Sequence, residues 1–291
     1  MLTLIRIELY KIFRRPRTYI AFAAITALIT VIQVGLSIDG EAYADFVMQT
    51  IKQSFDFEGK LLNGYLVCYI LLQLLLVHVP LLIALIAADM ISGEANLGTL
   101  RLLLTKPISR TRFTLAKFAA AAVYTFLLLV WIAFLSLVVS VWIFGTDDLF
   151  IVKSSYAVQL AEDDVLWRYA GAFGYALLSM LTVTALGFFF SHFASNSIGP
   201  IVATMSVIVF FTILSTMGIP IFQKIQPYLF TTHMVNWKEF FDQQVDADNI
   251  AISGSLQNPE KIARSAMILI LHIAGFLAAS VWVFRKKDVL T

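Results

Sequence analysis

The stretch Ser92-Gly93-Glu94-Ala95-Asn96-Leu97-Gly98-Thr99-Leu100-Arg101-Leu102-Leu103-Leu104-Thr105-Lys106-Pro107-Ile108-Ser109-Arg110 separates two apolar runs, about residues 61–88 and 113–144. Each run exceeds the roughly 20 residues that a helix needs to cross a bilayer. A polar, basic island between two such runs reads as a loop at a membrane surface. Working outward, four more apolar runs appear, at about residues 19–37, 165–193, 198–217 and 263–284. Several are longer than a perpendicular helix needs, so they are expected to tilt, kink or project beyond the lipid. Pro80 interrupts the second run, shortly after His78.

Composition agrees with a membrane class. The chain has 291 residues, 59% apolar and 14% charged, with a mean hydropathy of +0.83. A soluble domain carries roughly 25% charged residues. The single cysteine, Cys68, lies inside the second run, so no disulfide framework forms within the chain. The first apolar run follows basic residues as a signal peptide does. Its core is longer than an h-region and no clean small-x-small site follows, so it is read as a retained span.

The Lys/Arg distribution orients the spans. Arg6, Lys11, Arg14, Arg15, Arg17, Arg101, Lys106, Arg110, Arg112, Arg285, Lys286 and Lys287 all fall in one set of loops, with both termini. The opposite set is acidic, with Asp147, Asp148, Glu162, Asp163 and Asp164 between spans three and four as its densest cluster. Both termini are therefore expected in the cytoplasm, which requires an even number of spans. The expected fold is an all-α polytopic membrane protein. Residues 1–17 form an amphipathic interface helix and residues 18–291 one six-span domain. A cytoplasmic region, 89–112, lies between spans two and three, and an extracytoplasmic segment, 218–262, between spans five and six.

On a helical wheel Leu2, Ile5, Leu9, Ile12 and Phe13 share one face, and Glu8, Lys11 and Arg15 the other. That pattern suits the inner membrane surface, with Lys11, Arg14 and Arg15 meeting anionic headgroups. In the island, Leu97, Leu100 and Leu104 have the spacing of one helix face. Gly98 is a poor helix former, and Pro107 ends any helix before it. The island therefore reads as a short helix, a break, and a re-entry through Thr111-Arg112-Phe113. An apolar-faced helix in a loop is a knob for a groove of a soluble protein; an ordinary basic loop is the alternative.

Gly93-Glu94, Gly98-Thr99-Leu100, Leu103-Leu104 and Pro107-Ile108-Ser109-Arg110 together resemble the coupling region of ABC-2 type transporter permeases, of the type V exporter kind. Ala185-Leu186-Gly187-Phe188-Phe189-Phe190-Ser191, followed by Asn196-Ser197, looks like that family's tight turn between spans four and five. The long 218–262 segment departs from many members. The resemblance implies a permease without catalytic residues, paired with a second permease subunit as homo- or heterodimer and driven by two cytoplasmic ATPase subunits. It assigns coupling to Glu94, Gly98, Thr99, Leu100, Leu103, Leu104, Pro107 and Arg110. The chain has no G-x-x-x-x-G-K-[ST] loop, so ATP and Mg are expected on the partner. Glu94 is expected at the turn into the coupling helix, facing its dipole or a basic group, and Gly98 at a close backbone approach.

Other residues carry less. Asp89 is placed to pair with an arginine at the membrane edge or to line a cavity. His78 and Gln73 lack the chain of titratable groups that a proton relay needs, and His78 is expected to pack at the helix kink. Gly187, Ser191 and Ser195 favour close helix packing within the subunit. His192, His233 and His272 have no metal-ligand spacing, and no cofactor, metal or nucleic acid is expected on this chain. In the 218–262 segment Ile219, Ile221, Phe222, Ile225, Tyr228, Leu229 and Phe230 are placed to rest partly in the outer interface, with Trp237 at headgroup depth; the segment reads either as a folded cap packing on the spans or as a contact surface for a substrate or an extracytoplasmic partner. Three functions stay open: export of a lipid-like or amphipathic molecule, force transmission to an extracytoplasmic partner, and a secondary transporter or membrane enzyme without an ATPase. Few buried charges and no paired intramembrane carboxylates are expected, which disfavours the last.

The charge partition makes a direct prediction. A cysteine placed at Ser255 is labelled by an impermeant thiol reagent from outside intact cells, and one at Thr105 is not. Reversed labelling removes the coupling argument.

Overall fold

The computed structural model describes residues 1–48, 60–100, 107–153, 156–246 and 251–287. Among them six helices are long and apolar enough to cross a membrane: span 1 (Pro16–Gly40), span 2 (Gly64–Asn96), span 3 (Arg110–Phe144), span 4 (Glu162–Ser191), span 5 (Ile198–Thr216) and span 6 (Pro259–Lys286). Helices are forced here because hydrocarbon offers no partners for backbone N–H and C=O groups. The protein is an all-α polytopic membrane protein of six transmembrane helices. An N-terminal helix, Leu2–Phe13, precedes them. The N-terminal helix, the end of span 6 and residues 89–100 and 107–110 meet at one end of the bundle, the terminal end. The other end carries the cap, described further on.

Local chemistry starts the helices where they start. Span 2 begins after Asn63, whose Oδ1 accepts from Leu66 N–H at 3.0 Å while its Nδ2 donates to Asp148 O at 2.8 Å. Span 3 begins after Ser109, whose Oγ accepts from Arg112 N–H. Span 3 also widens into a π-turn at Phe134–Val139. The side chain of Gln33 in span 1 meets it, donating to Leu135 O and Ser140 Oγ at 2.9 Å each. A carbonyl released by the wider turn is thus satisfied inside the bundle rather than left to lipid. Span 4 is the central helix, with Tyr169, Ala176, Val183 and Phe188 fully buried. Span 5 is peripheral and buries only Pro200, Thr204 and Ile208.

One feature of the cap end was not expected from the sequence. A hairpin pairs Leu149–Val152 antiparallel with Ala157–Leu160. Its alternation puts Leu149, Ile151, Val158 and Leu160 on one buried face. Of the two readings of the 218–262 segment, its described residues take the folded cap packed on the spans. Trp237 is buried against Tyr69, with ring centroids 5.5 Å apart, and Phe241 against Tyr169 at 4.9 Å. Burial of these large rings against span 2 and span 4 outweighs the headgroup-level position expected for Trp237. Leu229 and Phe230 are likewise buried, whereas Ile219, Ile221, Ile225 and Tyr228 are exposed.

Arg168 joins the cap to span 4. It is fully buried, and its Nη2 pairs with Asp164 at 2.6 Å. Nη1 donates to Phe240 O and Nη2 to Ser255 O, both at 2.8 Å. One guanidinium thus satisfies a carboxylate and two loop carbonyls, which a planar five-donor fork does and an ammonium does not. Replacing Arg168 by Leu strands the buried Asp164 charge and should lower stability by about 3–5 kcal/mol. The expected signature is protease cleavage of the 240–258 loop with the spans still inserted; a cap as resistant as before counts against this role.

Candidate functional site

The terminal end holds the densest set of buried charges, and Asp89–Asn96 is its centre. These residues form a short helix continuing span 2 after Ala88. The expected coupling region is therefore not a surface island throughout: Asp89, Met90, Ile91, Ser92, Gly93 and Glu94 are all buried.

Glu94 lies in a ring of four charges. Lys117 Nζ donates to Glu8 Oε2 at 2.7 Å and contacts Glu94 Oε1 at 2.8 Å. Lys11 Nζ donates to Glu8 Oε1 at 2.7 Å and Glu94 Oε1 at 2.8 Å. Two lysines and two carboxylates make the ring neutral, which allows charge to be buried at all. Lys117 is 1% exposed and Glu8 and Glu94 under 10%. Burial by itself raises the Glu8 carboxyl, but Lys117 and Lys11 overcome it and hold the group below its ordinary value. Burial likewise opposes the charge on Lys11, and its bonds to Glu8 and Glu94 reverse that, leaving its pKa raised.

The second carboxylate, Asp89, collects three partners. Its Oδ2 accepts from Arg15 and Arg17, and its Oδ1 from Ser197. Of the two roles expected for Asp89, pairing with a membrane-edge arginine is the one seen. Gly93 makes room for it, because a Cβ there collides with the Asp89 carboxylate. Gly98 serves another need. Among the described residues nothing lies within 4 Å of a Cβ added there; its φ of +69° is what favours glycine. That turn ends the short helix and breaks the expected Leu97–Leu100–Leu104 face: Leu97 is 65% exposed and Leu100 is 3% exposed. Leu103 and Leu104 lie outside the described residues. Thr99 bonds Glu94 O at 3.3 Å, and Pro107 is exposed.

The remaining expected residues divide. Arg110 caps span 6, with Nη1 donating to the carbonyls of Phe284, Arg285 and Lys287 at 3.1, 3.2 and 2.6 Å. The N-terminal helix buries a residue of each face: Ile12 of the apolar face and, against expectation, Glu8 of the charged one, with Lys11 and Arg15 half-buried in ion pairs. Leu2 is exposed, Ile5 and Leu9 are half-buried, and exposed Arg14 bonds the Tyr10 hydroxyl. His192 is buried beside Phe284, and burial pushes its pKa down to about 4, so it stays neutral.

Sequence reasoning missed Glu8 and Lys117 as site residues, and its expectation of few buried charges fails at both ends of the bundle. The available signal was Lys117 itself, a lone cation two turns inside an apolar helix, which demands a buried anion.

A second feature lies toward the cap. A cavity of about 1060 Å³ opens between span 2, the cap-side half of span 5 and the cap. Its wall is mainly apolar, with Leu74, Val77, Ile208 and Val209 among the lining residues. Gln73 and His78 line it and are exposed, so His78 is not the packed histidine expected. Thr231, Thr232 and Lys238 line it from the cap. Gly187 packs within the subunit, where an added Cβ sits 3.3 Å from Ala87. Among the described residues no three of His, Cys, Asp and Glu converge as a metal site.

The ring predicts non-additive mutations. Lys117→Met leaves two buried carboxylates facing one lysine and should lower stability by about 3–5 kcal/mol. Adding Glu94→Gln restores neutrality and should recover a large part of that loss, read as the apparent melting temperature in detergent. Equal losses in the single and double variants would sink the coupling. The sign with pH follows from Glu8: its contribution is complete above the ordinary carboxylate value of 4.5 and is lost as pH falls through its lower folded value.

No curated protein matches the chain significantly. The sequence profile described as ABC-2 family transporter protein matches residues 2–289, nearly the whole chain. With six membrane-spanning helices and that match, the chain belongs to the ABC-2 transporter family, whose members are the membrane-embedded permeases of ABC transporters.

Proposed function

We propose that this chain is the transmembrane subunit of an ABC exporter, driven by a separate cytoplasmic ATPase docked at the terminal end, and that its cargo is amphipathic. The observation that carries the reading is the pair of anchors on the short helix Asp89–Asn96. Glu94 ties it to the N-terminal helix and span 3, and Asp89 ties it to span 1 and to the start of span 5. The helix is also continuous with span 2. A push on it therefore moves span 2 directly and reaches spans 1, 3 and 5 through buried ion pairs and a hydrogen bond.

The tip of that helix suits a partner. Asn96, Leu97 and Gly98 are exposed, and Leu97, 65% exposed among the described residues, is an apolar knob. In this reading the terminal end faces the cytoplasm, as the basic loops suggest, and ATP and Mg bind on the partner. Two permease subunits pair, with the periphery left by span 5 available for the second. The cavity favours export over force transmission, since a mainly apolar wall with few polar groups suits an amphipathic molecule and not a hydrated ion.

The docking experiment uses Leu97→Asp. Removing a buried Leu contact of about 1.5–3 kcal/mol should weaken copurification of the ATPase roughly 10- to 100-fold while insertion and melting stay unchanged. Undiminished copurification and full ATP-driven activity would overturn the docking site. Stimulation of ATP hydrolysis in nanodiscs by lipids or hydrophobic peptides is expected; stimulation by small polar solutes alone would sink the amphipathic cargo.

A further inference from the structure

The cap side of the cavity is chemically lopsided. None of its lining residues is a carboxylate, whereas Lys238 lines it with a cationic side chain. Among the described residues Lys238 has no carboxylate partner; its described contact is the Trp237 ring, 5.9 Å away. The neighbouring cation Lys153 is already bound by Asp242, and the neighbouring carboxylate Glu239 by Lys261 at 2.6 Å. Burial, with repulsion from Lys153, lowers the Lys238 pKa, so the position is short of negative charge.

Two hydroxyls on the same wall are also unsatisfied. Thr231 is 6% exposed, and its Oγ1 is buried without a hydrogen-bond partner. The Thr232 Oγ1 is in the same condition. Buried polar groups without partners are uncommon in native proteins, and leaving one unmade costs about 1–3 kcal/mol. Here two occur at consecutive residues on the lining of the large cavity, which Lys238, a cation without a carboxylate partner among the described residues, lines as well. Away from the cap the wall is mainly Leu, Val, Ile and Met of spans 2 and 5, with Gln73, His78, Thr212, Ser215 and Thr216 as its uncharged polar groups.

We infer that the cavity binds an anionic amphiphile drawn from the bilayer, its acidic headgroup held by Lys238 with Thr231 and Thr232 and its chains lying between spans 2 and 5. A phosphate or carboxylate oxygen accepts from the ammonium and from both hydroxyls, so one head satisfies all three. A zwitterionic head brings a cation beside Lys238 with no carboxylate on the wall to receive it. This rests on reading the cavity as the cargo site.

The test uses the complex of this chain with its ATPase in phosphatidylcholine nanodiscs. Trp237 lines the cavity, so its fluorescence reports occupancy once Trp131, Trp142, Trp167 and Trp282 are Phe. Chain-brominated phosphatidylglycerol is expected to quench it at about tenfold lower mole fraction than phosphatidylethanolamine with the same chains, the worth of one charge-assisted hydrogen bond. Lys238→Gln should abolish that preference, Lys238→Arg should keep it, and Thr231→Val should weaken it. Native mass spectrometry of lipid retained by the unmodified-tryptophan complex gives the same comparison if the four replacements disturb folding. Equal quenching by both headgroups, or a preference that survives Lys238→Gln, overturns the inference. ATP hydrolysis in the same discs separates it from the export reading. A Lys238-dependent preference without stimulation upholds the headgroup site and removes export, whereas stimulation by neutral lipid without preference upholds export and removes the headgroup site.

Discussion

The fold depends on placing carboxylates inside a membrane protein without leaving any of them alone. Asp89 and Glu94 lie one helical turn and a residue apart on the continuation of span 2, and both are buried. A single unpaired charge in that setting costs several kcal/mol. The chain answers with cations from elements distant in sequence: Arg15 and Arg17 for Asp89, and Lys11 and Lys117 for Glu94. Glu8 then balances the second lysine of the ring. Each of these side chains needs the others, so the N-terminal helix, span 1, span 3 and the short helix form one electrostatic unit. That is why a segment as short as Asp89–Asn96 holds a fixed position at the end of the bundle.

The parts of this arrangement that sequence reveals are those set by local rules. Six apolar runs, the Lys/Arg partition and the Gly-Glu/Pro-Ile-Ser-Arg motif are visible because hydropathy and short spacing act within a window of residues. The ring is not local. Glu8 and Lys117 are 109 residues apart in the chain, and nothing in the N-terminal wheel says that Glu8 of its charged face turns inward. The wheel gives amphipathicity but not the sign of the surroundings, and here a charged partner on span 3 outbids water. The Leu97, Leu100 and Leu104 spacing misleads for a different reason. Helical periodicity assumes continuous αR backbone, and Gly98 at φ +69° interrupts it between the first two. Trp237 misleads because an amphipathic ring suits an interface and a packed aromatic cluster alike; only the fold brings Tyr69 and Phe241 to it.

The two ends of the bundle solve the same problem with different chemistry. At the cap, Arg168 meets one carboxylate and spends its remaining donors on carbonyls of two separate loop segments. This is a fixed joint, since a guanidinium fork has its donors in one plane. At the terminal end the ring uses lysines, point charges on flexible stems that keep contact while partners slide. An ammonium shared between two carboxylates tolerates a change of angle that a bidentate arginine does not.

The geometry then links motion to the cavity. Its two long walls are span 2 and span 5. Span 2 continues into the short helix, and span 5 starts after Ser197, whose hydroxyl bonds Asp89 on that same helix. Both walls are therefore held at the terminal end by one element, while the cap closes them at the other end through Thr231 to Lys238. If a partner displaces the short helix, span 2 follows as its rigid continuation, but span 5 follows only through one hydroxyl and a brief turn. The two walls shift by different amounts, and the space between them changes. Pro80 lies inside span 2 on the cavity lining; lacking a backbone N–H, it weakens the helix there and favours bending at the lining over bending at the ion pairs. In the proposed function the charges would transmit displacement, and the apolar wall would convert it into a change in the room available to a chain-bearing molecule.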